Sequence, residues 1–254
     1  ILRNPVIIRM ATALENWIYR TSYTITGQTE GIVENIRERT SGIPVELITN
    51  GVDPGRFDTS SEEREKMREQ FGFRGCFVAG YTGLHGLAQG LETILDAAGE
   101  LQNSENKVMI AFFGDGPEKR RLEVLAEKRK LSNVRFFPSQ PAHLMPAIFS
   151  CIDAAVIPLK NIALFKGALP SKLFECMGAG LPIVLAIDGE ARRLVEQANG
   201  GICVPPENPS ALADAIRTMS QSPNLCHTLG ENARRYVIAH YDRRELARRF
   251  AELL

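Results

Sequence analysis

The stretch from Leu169 to Pro182, LPSKLFECMGAGLP, predicts a short helix that a glycine stop separates from a buried strand. Pro170 suits the first helical turn, because its missing N–H would have no intrahelical partner there. Gly178 and Gly180 predict the end of the helix. The helix divides into a polar side with Ser171, Lys172 and Glu175 and an apolar side with Leu173, Phe174 and Met177.

The polar side of this helix has the chemistry to hold a phosphate. The unpaired N–H groups and the positive dipole end of a first helical turn attract anions, and Lys172 adds a full charge there. Glu175, one turn further along, would repel a phosphate and is better placed to accept hydrogen bonds from the hydroxyls of an attached sugar. The alternative is an ordinary surface helix, whose solvent-facing Lys–Glu pair contributes only roughly tenths of a kcal/mol.

Around this stretch, short β-rich segments alternate with helical segments from Val45 onward. The alternation predicts an α/β fold, a Rossmann-like parallel sheet with helices on both faces. Strands are expected at 45–49, 76–81, 108–113, 134–137, 154–157, 183–186 and 201–204. Before Val45, helical segments expected at 11–23 and 29–39 around a β-like segment at 23–26 look like the tail of a second α/β domain, so we expect the sequence to belong to a longer protein.

The composition excludes several classes of function. Thirty basic and thirty acidic residues cancel, so charge indicates neither a nucleic-acid partner nor attraction to a strongly anionic membrane. The longest apolar run, residues 181–187, is too short to span a bilayer. Five dispersed cysteines without a C-x-x-C pair indicate reduced side chains in a cytoplasmic protein, and four scattered histidines give no metal-ligand spacing.

The loop from Gly80 to Gly90 contains four glycines in eleven residues and follows an expected strand. Ligands of open parallel sheets bind at the carboxyl ends of the strands, and glycines let the backbone approach a phosphate. We therefore expect Gly83 and Gly86 to line a phosphate, with His85 as a candidate donor to a phosphate or hydroxyl. A merely flexible turn is the alternative, because the loop lacks the spacing of a Rossmann fingerprint or a P-loop.

Two other strand ends carry weaker candidates. Phe137 could present an apolar platform to a flat base, or it could simply pack in the core. Asp188 and Glu190 follow a later strand, where they could contact a sugar or cap the helix expected from residue 191.

Three lysines fall in the segment from 158 to 175, namely Lys160, Lys166 and Lys172. Together they carry enough charge to neutralise a diphosphate without a metal. The sequence also lacks an Asp-x-Asp pair, the kind of ligand set by which carboxylates hold Mg²⁺.

The order of five motifs resembles glycosyltransferase family 4. The motifs are Asn50-Gly51-Val52-Asp53 with Phe57, the glycine-rich loop, Gly114-Asp115-Gly116-Pro117, the 169–182 stretch, and Gly200 to Pro206 with Pro209 and Ala211. The resemblance covers nearly the whole chain and implies the C-terminal, donor-binding half of the two-domain GT-B fold. Residues 1–49 would then end an N-terminal acceptor domain, residues 50–240 would form the donor-binding domain, and a C-terminal helix, 241–254, would pack on the N-terminal domain.

The resemblance implies a retaining, metal-independent enzyme without a cofactor, most similar to bacterial N-acetylfucosamine-type transferases of surface-polysaccharide and lipopolysaccharide synthesis. Its partners would be a nucleotide-diphosphate sugar, with a UDP-linked N-acetylated hexosamine as a candidate, and a lipid-linked or polysaccharide acceptor. A cytoplasmic location is expected, peripheral to the inner face of the membrane through the N-terminal region. Two alternatives stay open: a fragment that binds nucleotide without turnover, and a GT-B nucleotide-sugar epimerase.

By position, the resemblance implies Lys172 and Glu175 as the catalytic candidates. Glu175 matches the second glutamate of the family's Glu-seven residues-Glu motif and would bind the ribose hydroxyls. Ser171 and Lys172 would meet the diphosphate. Many relatives carry an arginine and a lysine around the glycine-rich loop, and Lys160, Lys166 or Lys172 would compensate for their absence here.

The first glutamate of that motif would fall at position 167, which is Gly167. Gly167, Ala168 and Leu169 are expected beside the donor, but the usual sugar-hydroxyl contact is then missing or displaced. Asp188 or Glu190 would have to replace it.

Overall fold

The computed structural model describes residues 4–253, with eight strands and eleven α-helices in that range. Residues 1–3 and 254, at the ends of the first and last predicted segments, lie outside it. The strands are β1 (Ile25–Gly27), β2 (Val45–Leu47), β3 (Phe77–Thr82), β4 (Val108–Phe113), β5 (Val134–Phe137), β6 (Ala154–Pro158), β7 (Ile183–Ala186) and β8 (Gly201–Cys203). The helices are α1 (Pro5–Thr21), α2 (Glu30–Arg39), α3 (Ser61–Gln70), α4 (Glu92–Leu101), α5 (Lys119–Lys128), α6 (Met145–Ser150), α7 (Ser171–Gly178), α8 (Glu190–Ala198), α9 (Pro209–Gln221), α10 (Pro223–His240) and α11 (Arg243–Ala251).

Six of the strands form one sheet in the order β5-β4-β3-β6-β7-β8, and every neighbouring pair is parallel. All six residues of β4 are buried, as the continuous apolar sequence of a strand covered on both faces requires. The chain moves outward from β3 to β5, then returns to the other side of β3 with β6 and continues to β8. The predicted α/β fold with a parallel sheet is thereby confirmed. The strand order reverses between β3 and β6, which makes the sheet doubly wound.

Apolar side chains fill a layer on each face of this sheet. Successive residues of a strand point to opposite faces, so Val78 lies in the layer with Phe149 and Phe174, and Ala79 lies in the layer with Ile94. Helices therefore pack on both faces, and the loops at the carboxyl ends of the strands are held from two sides.

Residues 5–47 form a smaller unit, in which β1 and β2 pair as a separate parallel sheet. The helix predicted to begin at residue 11 begins at Pro5, because Asn4 accepts a hydrogen bond from the N–H of Val6 and Pro5 occupies the first turn. Helix α11 contacts the end of this unit, where Arg249 donates to the carbonyl of Leu47 at 3.3 Å. The domain boundaries near residues 49 and 240 stay predictions. No helix within residues 4–253 is long and apolar enough to cross a membrane.

Candidate active site

A cavity of about 600 Å³ opens at the carboxyl ends of β3 and β4, beside the segment after β5 and the start of α7. It lies next to the point where the strand order reverses, between β3 and β6. Loops that follow neighbouring strands diverge at such a point and leave a crevice for a ligand. The wall comes from five segments of the chain and combines polar groups with apolar side chains. Its lining residues are Thr82, Gly83, Leu84, Gln89, Phe113, Gly114, Asp115, Ser139, Gln140, Ala142, Met145, Ser171, Lys172 and Glu175.

Helix α7 brings three of the predicted side chains into this cavity. Its apolar side is buried in the sheet's core, with Leu173, Phe174 and Met177 each no more than 1% exposed. The two-sided helix that the sequence predicts is therefore present, and Ser171, Lys172 and Glu175 line the cavity together. Its first turn carries no side-chain cap from any described residue, which leaves backbone donors for an anion.

The ammonium of Lys172 is the principal positive charge of the cavity wall. Burial lowers the pKa of Lys172 from 10.5 to about 8, against the opposing influence of Cys176 and Glu175. Its Nζ donates a hydrogen bond to the hydroxyl of Tyr81 at 2.8 Å and lies 4.0 Å from the centre of the Tyr81 ring. In the part of the chain that the structure describes, no carboxylate lies within 4 Å of this ammonium to form an ion pair. A mostly buried cation without a counterion is a suitable site for an anionic ligand.

Two glycines keep space around the ammonium and between the loops. Gly83 has a φ of +123°, and a Cβ there would stand 2.9 Å from Nζ of Lys172. Gly114 has a φ of +149°, and a Cβ there would stand 1.9 Å from the carbonyl oxygen of Gly83, so Gly114 allows the loops after β3 and β4 to approach each other. Lys119 connects the ends of β4 and β5, because its Nζ donates to the carbonyls of Gly114 and Phe137 at 2.9 and 3.1 Å. A larger residue at Gly114 would push the loops apart, whereas one at Gly83 would displace the ammonium of Lys172.

The structure contradicts the prediction for His85. Its side chain is fully buried among the rings of Tyr81, Phe112 and Phe136, with centroid distances of 5.8, 6.0 and 6.3 Å. Burial, followed by the charge of Lys119, lowers the pKa of His85 to about 4. The imidazole is thus a neutral core residue and cannot reach a ligand in the cavity. The loop spacing predicted its position after the strand but not the aromatic layer that covers it.

The predicted group of three lysines is not brought together. Lys172 lines the cavity, whereas Lys160 borders a separate cavity of about 360 Å³ on the other side of the glycine-rich loop, together with Gly86. Lys166 is exposed outside both. One sequence segment can place its side chains on different surfaces, because a loop has no fixed periodicity. Only one of the three lysines therefore contributes its charge to the cavity wall.

Phe137 packs in the core, as the second of its two interpretations expected. Its ring stacks on Phe113 with centroids 4.6 Å apart and contributes no lining to the cavity. Ser139, from the same segment, lines the cavity instead, together with Gln140, which was not among the predicted site residues. Asp115 was not predicted individually either, although its motif follows a buried strand at the sheet edge that usually holds ligands.

Glu190 lies outside the cavity and contacts another helix. Its carboxylate accepts hydrogen bonds from the backbone N–H groups of Glu30 at 3.0 Å and Gly31 at 2.8 Å, so it caps the first turn of α2. A Cβ on Gly167 would stand 3.6 Å from the same carboxylate, so the side chain of Glu190 lies next to the position of the absent motif glutamate. The role expected for Glu190 as a sugar ligand stays a prediction, and in this structure both of its oxygens are engaged by α2.

The other residues expected beside the donor lie in the same region. Asp188 pairs with Arg192 at 3.2 Å, and its carboxylate accepts no hydrogen bond from the first turn of α8, contrary to the capping alternative. Leu169 borders a small cavity of about 90 Å³ together with Glu190, and Ala168 is half-buried between Gly167 and Leu169. Among residues 4–253 no group of three or more His, Cys, Asp or Glu side chains is arranged to hold a metal ion.

The reversed strand order and the crevice beside the reversal, with its buried lysine, define a doubly wound α/β domain of the ligand-binding type. Comparison with known protein families identifies the family to which this domain belongs. The model of the family described as "Glycosyl transferases group 1" matches residues 63–236, and this chain belongs to that family. The resemblance drawn from the five motifs is confirmed.

Two curated relatives illustrate the similarity. Glycosyl transferase WcaI of Escherichia coli (strain K12), named for colanic acid biosynthesis, is 33% identical over 173 residues, which are 67% of this chain and 41% of WcaI. The alpha-D-kanosaminyltransferase of Streptomyces kanamyceticus is 28% identical over 186 residues, 72% of this chain and 47% of that protein. The chain therefore spans less than half of the length of these relatives.

Solved structures match the whole architecture. Anabaena Alr3699/HepE, determined in complex with UDP and glucose, superposes with a TM-score of 0.82 at 22% identity, covering 96% of this chain and 65% of that one. WaaG, a glycosyltransferase involved in lipopolysaccharide biosynthesis, gives 0.79 at 22% identity, covering 96% and 66%. The chain thus has the fold of the C-terminal half of GT-B glycosyltransferases.

Proposed function

We propose that this chain is the donor-binding half of a retaining glycosyltransferase that transfers a sugar from a UDP-linked donor to a lipid-linked or polysaccharide acceptor. One observation carries the proposal: Lys172, Glu175 and the uncapped first turn of α7 meet in the cavity beside the reversal of strand order. The family supports the class of reaction. Relatives named for colanic acid or lipopolysaccharide biosynthesis support the class of acceptor.

In this proposal the diphosphate of the donor lies between the first turn of α7 and the loop at Gly83. Lys172 supplies the positive charge, and the free N–H groups of the turn supply hydrogen bonds. Glu175 lies one helical turn further from the phosphates, where its carboxylate accepts hydrogen bonds from the two ribose hydroxyls. The order of charges along α7 therefore matches the order of groups in a nucleoside diphosphate.

The same residues assist the departure of the nucleotide. When the bond between the sugar and the diphosphate breaks, negative charge grows on the phosphate oxygen that leaves. A fixed ammonium and fixed N–H donors stabilise that charge more than they stabilise the intact donor, which lowers the barrier. Retention of configuration and independence from a metal are inferred from the family resemblance. Peripheral association of the protein with the cytoplasmic face of a membrane would give it access to a lipid-linked acceptor.

Calorimetric titration with UDP tests the site. We expect Lys172→Ala to weaken UDP binding about 10- to 100-fold, since a hydrogen bond to a charged group contributes roughly 1.5–3 kcal/mol. Glu175→Ala should weaken UDP more than it weakens inorganic pyrophosphate, which has no ribose. Lys128→Ala, an exposed lysine on α5 outside the cavity, is the matched control. Equal UDP affinity in Lys172→Ala and the parent chain would remove the assignment.

Nucleotide binding and turnover are separable in this proposal. All lining residues of the cavity fall between positions 82 and 175, so this chain is expected to bind nucleotide by itself. Transfer is expected to need an acceptor site as well. A transfer assay with UDP-N-acetylglucosamine and other UDP-sugars, run on this chain and on the longer protein, distinguishes a nucleotide-binding fragment from a competent transferase.

A further inference from the structure

The side chain of Tyr81 joins two parts of the proposed site. Tyr81 is near the end of β3, the strand where the sheet order reverses, and it is 1% exposed. Its hydroxyl contacts Lys172 of α7 at 2.8 Å and the carbonyl of Leu84 in the glycine-rich loop at 2.6 Å. Lys172 is 91 positions away in sequence, and Tyr81 itself was not among the predicted site residues.

The chemistry of the groups fixes the direction of both hydrogen bonds. An ammonium has no lone pair, so Lys172 donates and the oxygen of Tyr81 accepts. The phenolic proton is then directed to the carbonyl of Leu84. Burial raises the pKa of Tyr81 above its usual range, so the hydroxyl keeps that proton at all relevant pH values. The result is a chain of two hydrogen bonds from the lysine, through the tyrosine, to the loop that borders the cavity.

From this arrangement we propose that Tyr81 is the positioning residue for Lys172, holding the ammonium against the cavity in the orientation that a diphosphate requires. The inference rests on the proposed function, because it assigns Tyr81 a role through the lysine that binds the donor. A free lysine has four rotatable side-chain bonds and loses much of that freedom when it binds a ligand. A lysine already held by Tyr81 has lost that conformational freedom before the ligand binds. Binding therefore costs less conformational entropy of the lysine side chain.

Two further contacts restrict Lys172 to the same place. Its Nζ lies 4.0 Å from the centre of the Tyr81 ring, within the range of a cation–π interaction. Gly83 also leaves space for the ammonium, since a Cβ there would be 2.9 Å from Nζ. The ring and hydroxyl of Tyr81 and the backbone of Gly83 therefore lie close around the ammonium, and Lys172 still lines the cavity.

A double-mutant cycle tests the proposal. Tyr81→Phe keeps the ring and removes the hydroxyl, and we expect it to weaken UDP binding about tenfold. In a Lys172→Met background the same substitution should change UDP affinity by less than about twofold, because Tyr81 then has no ammonium to position. Tyr236→Phe is the matched control, since its hydroxyl bonds Gln197 at 3.0 Å away from the cavity.

The outcomes separate this inference from the proposed function. If Lys172→Met binds UDP like the parent chain, the proposed function fails. If Lys172→Met weakens binding but Tyr81→Phe has no effect, or the same effect in both backgrounds, only the positioning role fails. The pH profile gives a further readout: the loss of UDP affinity at alkaline pH should begin at lower pH in Tyr81→Phe, because the ammonium has lost an acceptor.

An NMR measurement on the unmutated chain tests the same contact and does not depend on whether the Tyr81→Phe variant folds normally. In protein with isotope-labelled lysine, the Lys172 side-chain signals, assigned by their absence in Lys172→Met, should show an upfield shift from the Tyr81 ring. Persistence of that shift in the UDP complex is the expected result. Its loss on UDP addition would mean that the lysine leaves Tyr81 to bind, and would overturn the proposal.

Discussion

The affinity for UDP should fall as Lys172 loses its proton. Its pKa in the free protein is about 8, lowered from 10.5 chiefly by burial. UDP prefers the ammonium form, because the neutral amine offers no charge to the phosphates. The apparent dissociation constant is therefore the constant for the charged form divided by the fraction of protein that carries the charge.

That fraction gives the magnitude. With a pKa of about 8, roughly 90% of Lys172 is charged at pH 7 and about 10% at pH 9, so UDP should bind about tenfold more weakly at pH 9, a loss of about 1.4 kcal/mol. Calorimetry at several pH values up to 9 gives the profile, and this upper limit avoids ionisation of the uracil ring itself. Titration in two buffers of different ionisation enthalpy should also show close to one proton taken up per UDP bound at pH 9.

Two variants make the result decisive. Lys172→Arg keeps a charge throughout this range, so its affinity for UDP should not change between pH 7 and 9, whatever its absolute value. Lys172→Ala should be weak and equally independent of pH. The reasoning is refuted if the unmutated chain has a flat profile, or if Lys172→Ala loses affinity with pH as steeply as the unmutated chain does.

Two predictions concern the scaffold around the site. Glu190→Ala removes both acceptors from the first turn of α2. It should lower the free energy of unfolding by about 2 kcal/mol and speed amide exchange at Glu30 and Gly31. The control is Glu196→Ala, an exposed partner of Arg192 on α8, which should change the free energy of unfolding by less than about 0.5 kcal/mol; equal urea midpoints in the two variants would count against the capping role. His85 has a folded-state pKa of about 4, below its unfolded value of about 6.5. The unfolded chain therefore binds the proton first, and the free energy of unfolding should decrease as the pH falls from 6.5 toward 4. His85→Leu should lose less stability over that pH range, and urea-unfolding profiles that change in parallel for the two proteins would contradict this prediction.

Much of the fold could be predicted because its signals are local. The strands expected at 108–113, 134–137 and 183–186 have those bounds in the structure, since each is a short apolar run between turn residues. The division of α7 into two sides was also predictable, because the period of a helix depends only on sequence spacing. Helix α1 begins before the predicted residue 11, because Asn4 caps its first turn and Pro5 occupies the first helical position.

The site was predictable only in part, and the reason is visible in particular residues. Ser171, Lys172 and Glu175 lie on one regular element, so their common orientation followed from spacing. His85, Lys160 and Lys166 lie on irregular segments, where sequence position does not fix direction. His85 is buried by rings from β3, β4 and β5, none of which its own loop could reveal.

The sequence by itself determined the alternation of strands and helices, the family, and the polar side of α7. The tertiary structure alone decided which side chains share a cavity. In the folded chain Tyr81 lies beside Lys172, which is 91 positions away in sequence. Lys160 lies at another cavity, and the carboxylate of Glu190 binds the first turn of α2. The physical reason is that secondary structure follows from propensity and periodicity over a few neighbouring residues. A site at the reversal of a parallel sheet depends instead on where loops from distant strands meet, and that is set by the packing of the whole sheet with its helices.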